Sequence, residues 1–315
     1  MTTNEPNVIT ESAFARLLAE RASTPTFIDR LAGNNGDRLI RMGLDRVIER
    51  VGLTEVDAPE KAEQILLNGG GAMSDIWVAG LRLLGDYRKR FPETPVIVGP
   101  STFRFRGLDL ADLLGNAAAP LDTFARDVRS AAIATEAFDK LGLDRATVTV
   151  SDDLAFELRH SPFMDEQRAD LGNDHVLLAI RKDAEGTACA LVRNVRGTWL
   201  PKFVRKPLSR VRDRLAARGQ GDDELAGILA QHDIDPKLPR VTRDVSVSVP
   251  FDEFCKTIRR SALVMTDRLH VGIFAHLLGK PVVLRPGVYH KIRGVAELSM
   301  SGPDARVTVL GDDQA

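Results

Sequence analysis

Apolar residues along the chain fall into short runs that alternate with amphipathic stretches. Residues Pro25 to Ile28 read as a strand, and a loop carrying Gly33, Asn34, Asn35 and Gly36 follows. Leu39, Ile40, Met42, Leu44, Val47 and Ile48 then recur at roughly helical spacing, marking one face of a helix. ILLNGGG (65–71) predicts a strand closed by a glycine turn, Ile76 to Tyr87 a helix, and PVIVGP (95–100) another strand. Thr123 to Ala125 predicts a short strand, Ser130 to Leu141 a helix, and ATVTVSDD (146–153) a strand ending in carboxylates. Strands alternating with helices predict a parallel sheet covered on both faces. Ligands of such sheets sit beyond the carboxyl ends of the strands. The loops after the strands are therefore the places to look for chemistry.

Around residues 158–174 the pattern breaks into a polar stretch without periodicity. A second α/β unit then begins with HVLLAIRKD (175–183). It continues through VSVSV (245–249), a helix near 251–260, ALVMTD (262–267), a helix after Arg268 and PVVL (281–284). The expected architecture is two Rossmann-like domains, over 1–165 and 170–315, facing each other across a cleft. No internal repeat or low-complexity tract interrupts it.

A length of 315 residues agrees with two domains of ~150 residues each. The net charge of −1 argues against wholesale attraction to nucleic acid, so a bound anion needs a local cluster of basic groups. One segment supplies such a cluster: between Arg193 and Arg218 nine basic residues face a single acid, Asp213, with Trp199 and Phe203 interleaved. It reads either as a solvated helix face with a loop or as a landing patch for an anionic acceptor at a membrane surface. No nucleic-acid-binding motif accompanies it, and no nucleic-acid partner is expected. The two cysteines, Cys189 and Cys255, are far apart and read as small buried or half-buried thiols. The N-terminal stretch carries acids and no long apolar run, and nowhere do ~18 apolar residues run together. A cytoplasmic protein, peripheral at the inner face of the membrane, is expected.

The segment TDRLHVGIFAHLLGKPVVL (266–284) carries the densest chemistry. ALVM predicts a strand, Asp267 an N-cap, and Val271, Phe274, Leu277 and Leu278 the apolar stripe of a helix ended by Gly279 and Pro281. Arg268 and His270 then sit at a helix N-terminus, where unpaired N–H groups and the helix dipole favour an anion. Residues two apart on a regular helix lie ~200° apart. Arg268 shares a pocket with His270 only if it still belongs to the loop. His276 lies ~240° further round and reads as structural.

With these residues in view, the chain resembles the polysaccharide pyruvyl transferase family. The resemblance runs in order through NNGDRLI (34–40), NGGGAMSDIW (68–77), VGPSTF (98–103), FARD (124–127), VSDDLAF (150–156), the segment 266–284 and YHKIRGVAE (289–297). It implies a fold similar to GT-B glycosyltransferases. It also implies transfer of an enolpyruvyl unit from phosphoenolpyruvate, a co-substrate, to two hydroxyls of one sugar, with no further cofactor. The family's Arg-Leu-His triplet at the donor site corresponds to Arg268, Leu269 and His270, and the family arginine ending the first strand of the second domain to Arg181. His270 then reads as general acid, with Arg268 and Arg181 as an anion clamp. Lys291 and Arg293, with Tyr289 and His290, read as neighbours of the donor phosphate or as a surface turn.

On the acceptor side, Asp37 or Asp75 is expected near the sugar hydroxyls, with Asn35, Gly36, Gly70 and Gly71 around them. The glycines read as turn formers or as points of close backbone approach. Asp152 and Asp153 sit on opposite strand faces and read as caps, so no metal site is expected. The sequence departs from the family in the basic insert after Cys189 and at Arg285 and Gly287. A lipid-linked acceptor is one expectation of the insert. A nucleotide-sugar glycosyltransferase of similar architecture is the competing reading.

Overall fold

The computed structural model describes residues 12–114, 118–181 and 221–311. They form two compact units, Met1–Ser161 with Glu297–Ser299, and Pro162–Ala296 with Met300–Ala315. The first unit holds strands β1 (Thr26–Asp29), β2 (Glu55–Val56), β3 (Gln64–Leu67), β4 (Val96–Ser101), β5 (Leu121–Ala125) and β6 (Ala146–Val150). All neighbours are parallel, in the order β2-β1-β3-β4-β5-β6. The second unit holds β7 (His175–Ala179), β8 (Arg240–Thr242), β9 (Ser261–Thr266), β10 (Val282–Leu284) and β11 (Val307–Val309). It too is fully parallel, in the order β11-β10-β9-β7-β8.

Both orders follow one rule. The chain starts in the sheet, adds its second strand on one side, then crosses to the other side and continues outward. In each unit the direction reverses once, between β1 and β3 and between β7 and β9. Helices leave the two flanking strands toward opposite faces there, which opens a crevice at the carboxyl edge. Both units are Rossmann-like α/β folds of this doubly wound kind.

The central strands are buried on both faces, as a sheet sandwiched between helices requires. Side-chain alternation sorts the first core into two layers. Ile28, Leu66, Ile97 and Phe124 face Phe14, Ile40, Leu44 and Val47 of helices Ala13–Glu20 and Asn35–Val51. Ile65, Leu67, Val96 and Val98 face Leu81, Leu84, Ala134 and Phe138 of helices Ala79–Arg90 and Val128–Lys140. In the second unit Val176, Leu263, Met265 and Val283 meet Leu225, Ile228 and Leu229 of helix Gly221–Gln231.

Two stretches differ from the sequence expectation. The polar break at 158–174 contains a helix, Pro162–Ala169, that belongs to the second unit. Its acids Asp165 and Glu166 are exposed, while Met164 and Gln167 are buried and Phe163 stacks on Phe251 and Phe274 with ring centroids 6.0 Å apart in both cases. Two adjacent apolar residues, Phe163 and Met164, outweigh the lack of a long apolar stripe. VSVSV is a helical turn, Val245–Ser248, and the strand beside β7 is Arg240–Thr242. The alternation misleads because Val245 and Ser246 are both buried whereas Val247 is exposed. The Ser248 hydroxyl donates to Asp244 O at 2.6 Å, which closes the turn.

Among the described residues no helix is long and apolar enough to cross a membrane. Cys255 is a buried free thiol. Cys189, Trp199, Phe203 and the basic segment 193–218 lie outside the described residues.

Candidate functional site

The switch point of the second unit is built by three consecutive residues at the end of β9. Thr266 Oγ1 donates to Ala179 O at 2.7 Å and accepts from the Arg268 N–H at 2.9 Å. Asp267 Oδ1 accepts from the Arg181 N–H at 2.7 Å, tying the carboxyl end of β7 to that of β9. The Arg285 N–H donates to Thr266 O at 2.8 Å and brings in the end of β10. The expected residues Arg181 and Arg268 are thus drawn to one crevice, together with Arg285.

The cap differs from expectation. Arg268, with extended backbone, is the N-cap of helix Leu269–Leu277, and no side chain caps that terminus. Asp267 instead lies across the switch point, because its side chain satisfies the Arg181 amide. Arg268 therefore sits on the loop side of the first turn, as the helical spacing demanded, and half-buried His270 lies within that turn. Leu269 is buried in the core, while His276 lies in the last turn, at the far end of the helix. A cation there complements the helix dipole.

Arg268 is only 7 % exposed. Its Nε meets Asp244 Oδ1 at 3.0 Å and its Nη2 meets Asp244 Oδ2 at 2.5 Å, a bidentate pair. Asp244 follows β8, so four strand ends contribute to the crevice. Asp267 is 1 % exposed, and its Oδ2 is buried with no hydrogen-bond partner among the described residues. Burial pushes its carboxyl up to about 6, against the opposing pull of the Arg181 amide and of the charges of Arg181, Arg268 and Arg285. The charges of three arginines thus bear on buried Asp267, beside an N-terminus without a side-chain cap. Such a place suits a small, dense anion.

Lys291 and Arg293 make their contacts further along. The 289–291 turn is buried and is not a surface turn: Tyr289, His290 and Lys291 are 7 %, 4 % and 9 % exposed. Lys291 Nζ lies 5.4 Å from the centre of the Tyr289 ring. Arg293 donates to Gly311 O, just past β11.

In the first unit the residues expected around an acceptor gather at the β1/β3 switch point. Asn34 caps helix Asn35–Val51, its Oδ1 accepting from the Gly36 N–H at 2.7 Å. Asp37 Oδ2 accepts from the Asn34 N–H at 2.8 Å, so one oxygen of Asp37 serves the cap. Across the switch point, Asn68 Oδ1 accepts from the Leu31 N–H at 2.7 Å. The glycine turn then runs against the end of β4. Gly69 has φ 80°, and a Cβ there would lie 2.5 Å from Gly99 O, so only glycine fits. Gly70 N–H donates to Pro100 O and Thr102 N–H to Gly70 O, both at 3.0 Å. Gly71 has ordinary space beside it, with Arg126 Nη2 3.9 Å from an added Cβ.

Asp75 emerges from this turn. Its Oδ2 lies 3.3 Å from Arg104 Nη1, and its Oδ1 is buried without a hydrogen-bond partner among the described residues. Beneath lies a pair that sequence reasoning did not assign. Arg126, 1 % exposed, meets Asp153 Oδ2 at 2.6 Å and donates from Nε to Thr102 Oγ1 at 2.8 Å. Asp153 also caps the short helix Leu154–Leu158 through the Ala155 N–H, as the cap reading expected, while Asp152 is exposed. Among the described residues no group of three His, Cys, Asp or Glu side chains is arranged to hold a metal ion.

The sequence profile described as Polysaccharide pyruvyl transferase matches residues 18–285, a span that includes both switch points and the Arg268-Leu269-His270 triplet. The chain belongs to the polysaccharide pyruvyl transferase family. The protein is accordingly a transferase, and its family's activity is pyruvyl transfer to polysaccharide. Among solved structures, a functionally uncharacterised protein of Klebsiella pneumoniae is similar to this chain. The two are 19 % identical with a TM-score of 0.60, over 95 % of this chain and 97 % of that one, which shows a shared fold. The UDP-GlcNAc 2-epimerase of Neisseria meningitidis is a distant match, 14 % identical with a TM-score of 0.27, over 82 % and 81 % of the chains. No curated protein matches this chain.

Proposed function

We propose that this pyruvyl transferase moves the enolpyruvyl unit of phosphoenolpyruvate onto two hydroxyls of one sugar in an exopolysaccharide or cell-surface glycan precursor. The product is a pyruvate ketal, and phosphate is released. The observation carrying this reading is the β7/β9 crevice, where Arg181 and Arg268 converge beside a helix terminus bearing His270. Phosphoenolpyruvate carries a carboxylate and a phosphate on three carbons, and two guanidinium groups with a helix N-terminus balance that charge.

His270 gives a proton to the methylene carbon, and the neighbouring carbon takes oxocarbenium character. One sugar hydroxyl adds to that carbon and returns its proton to the imidazole. The bond from the carbon to the phosphate oxygen breaks, and the second hydroxyl adds in its place. Of the two hydroxyl protons, one ends on the new methyl group and the other on phosphate. On the acceptor side we assign the Asp75 carboxylate as hydrogen-bond acceptor for a sugar hydroxyl, with Asn35, Gly36, Asp37, Gly70 and Gly71 lining the approach. Leu269, Lys291 and Arg293 complete the donor set in this reading.

The basic segment 193–218 suits a lipid-linked, diphosphate-bearing acceptor, with a cytoplasmic enzyme held peripherally at the inner face of the membrane. Incubation with phosphoenolpyruvate and a panel of lipid-linked and nucleotide-linked sugars tests the assignment. Acceptor-dependent phosphate release supports it. Turnover of UDP-sugars without use of phosphoenolpyruvate sinks it.

A further inference from the structure

The opposite edge of the second sheet holds a feature that the proposed reaction does not use. A cavity of about 400 Å³ lies at the amino ends of β7, β9 and β10, lined among others by Asn173, His232, Lys280 and Arg306. A volume of that order is typical of small-molecule sites, roughly 300–1,000 Å³. From Ala262 at this edge to Asp267 at the other, the strand climbs about 16 Å, at ~3.3 Å per residue. The cavity is therefore separate from the donor crevice.

Its lining is electrostatically unsatisfied. Lys280 is 6 % exposed, yet its ammonium donates to neutral acceptors, Gly172 O at 2.6 Å and Asn173 Oδ1 at 3.3 Å. Neighbouring Asp174 is already held by Arg260, through contacts of 2.8 Å and 2.9 Å. His232 Nε2 is buried with no hydrogen-bond partner among the described residues. Burial lowers the proton affinity of both Lys280 and His232; at Lys280 the charges of Arg260 and Arg306 add to it against the pull of Asp174, and at His232 the charge of Arg306 adds to it. Exposed Asp233 is the carboxylate on the cavity wall. A buried cation held by neutral acceptors beside a second cation is unfavourable, and an anion between them relieves it.

We infer that this cavity is a second anion site, which takes the phosphate group of a small phosphorylated molecule between Lys280, Arg306 and His232. Its size leaves room for more than the phosphate alone, so a nucleotide or a sugar phosphate fits its chemistry as well as the free ion does.

The test uses the full-length chain carrying Arg268→Ala, which weakens the donor crevice and leaves this cavity intact. Inorganic phosphate and UDP are titrated against it by calorimetry. Binding of either is expected, and Arg306→Ala or His232→Gln in that background weakens it by about tenfold or more, the loss of one contact to a charged group. Lys280→Met abolishes it, and circular dichroism checks that this buried substitution leaves the fold intact. If neither probe binds, or if Arg306→Ala and His232→Gln bind with unchanged affinity, the site does not exist. The two probes also distinguish free phosphate from a larger ligand. None of these outcomes depends on pyruvyl transfer.

Discussion

Replacing Asp267 with asparagine removes a buried charge while keeping an oxygen for the Arg181 N–H. In the folded protein burial lifts the carboxyl from its ordinary 3.8 to about 6. Between those two pH values the native state holds a proton that the unfolded chain has released. Asp267 therefore makes stability fall as pH rises from about 4 to about 6, after which its effect is constant. The gap is worth about 3 kcal/mol, at ~1.4 kcal/mol per pH unit. Near neutral pH Asp267→Asn should be more stable than the wild type by up to that amount, and the advantage should vanish near pH 4. Urea unfolding of both proteins across this range measures it. The difference between the two curves is the quantity to read, because Glu55, Asp170 and Asp174 are held below their ordinary values by arginines and act in the opposite sense. A difference independent of pH, or a variant less stable at neutral pH, would refute the reasoning. A gain in stability with a loss of turnover would mark Asp267 as a strained group retained for the crevice.

Three further outcomes are expected. His270→Gln should lower ketal formation by roughly 10²–10⁴-fold with phosphoenolpyruvate affinity largely kept, since it removes a proton donor and no anion contact; transient kinetics and equilibrium binding separate the two. Asp244→Asn breaks the bidentate pair that aims Arg268, and should raise KM for phosphoenolpyruvate more than it lowers kcat. Arg126→Met leaves Asp153 buried without its cation and should destabilise the first unit by about 3–5 kcal/mol, whereas Arg126→Met with Asp153→Leu should recover part of that loss in the same denaturation assay.

Much of the fold was legible because the central strands are buried on both faces, and the runs ILLN, VIVG and ALVM announce this directly. The helix Pro162–Ala169 was not legible, because its apolar anchors are only the neighbours Phe163 and Met164, and the ring partners of Phe163 lie about 90 and 110 residues away. The turn Val245–Ser248 mimicked a strand through its Val-Ser alternation. At the site, helical spacing alone required Arg268 to precede the first turn, and it does. The spacing could not reveal Asp244, because its pairing with Arg268 depends on β8 and β9 flanking β7, a property of strand order. The same holds for Asp267: an aspartate before a helix reads as a cap until the β7 amide it serves is placed beside it. Arg126 and Asp153 lie in two matched motifs, yet their union depends on β5 and β6 being neighbours.

Running the reaction in D₂O tests the central claim most directly. The enzyme is supplied with phosphoenolpyruvate and a sugar acceptor, and the product is read by mass spectrometry and proton NMR. If an exchangeable donor at His270 protonates the methylene carbon, the acceptor gains a pyruvate ketal whose methyl group carries deuterium, and His270→Gln forms almost none. An acceptor left unmodified by the wild type across the panel, or a His270→Gln protein that forms the labelled ketal at the wild-type rate, would contradict the account.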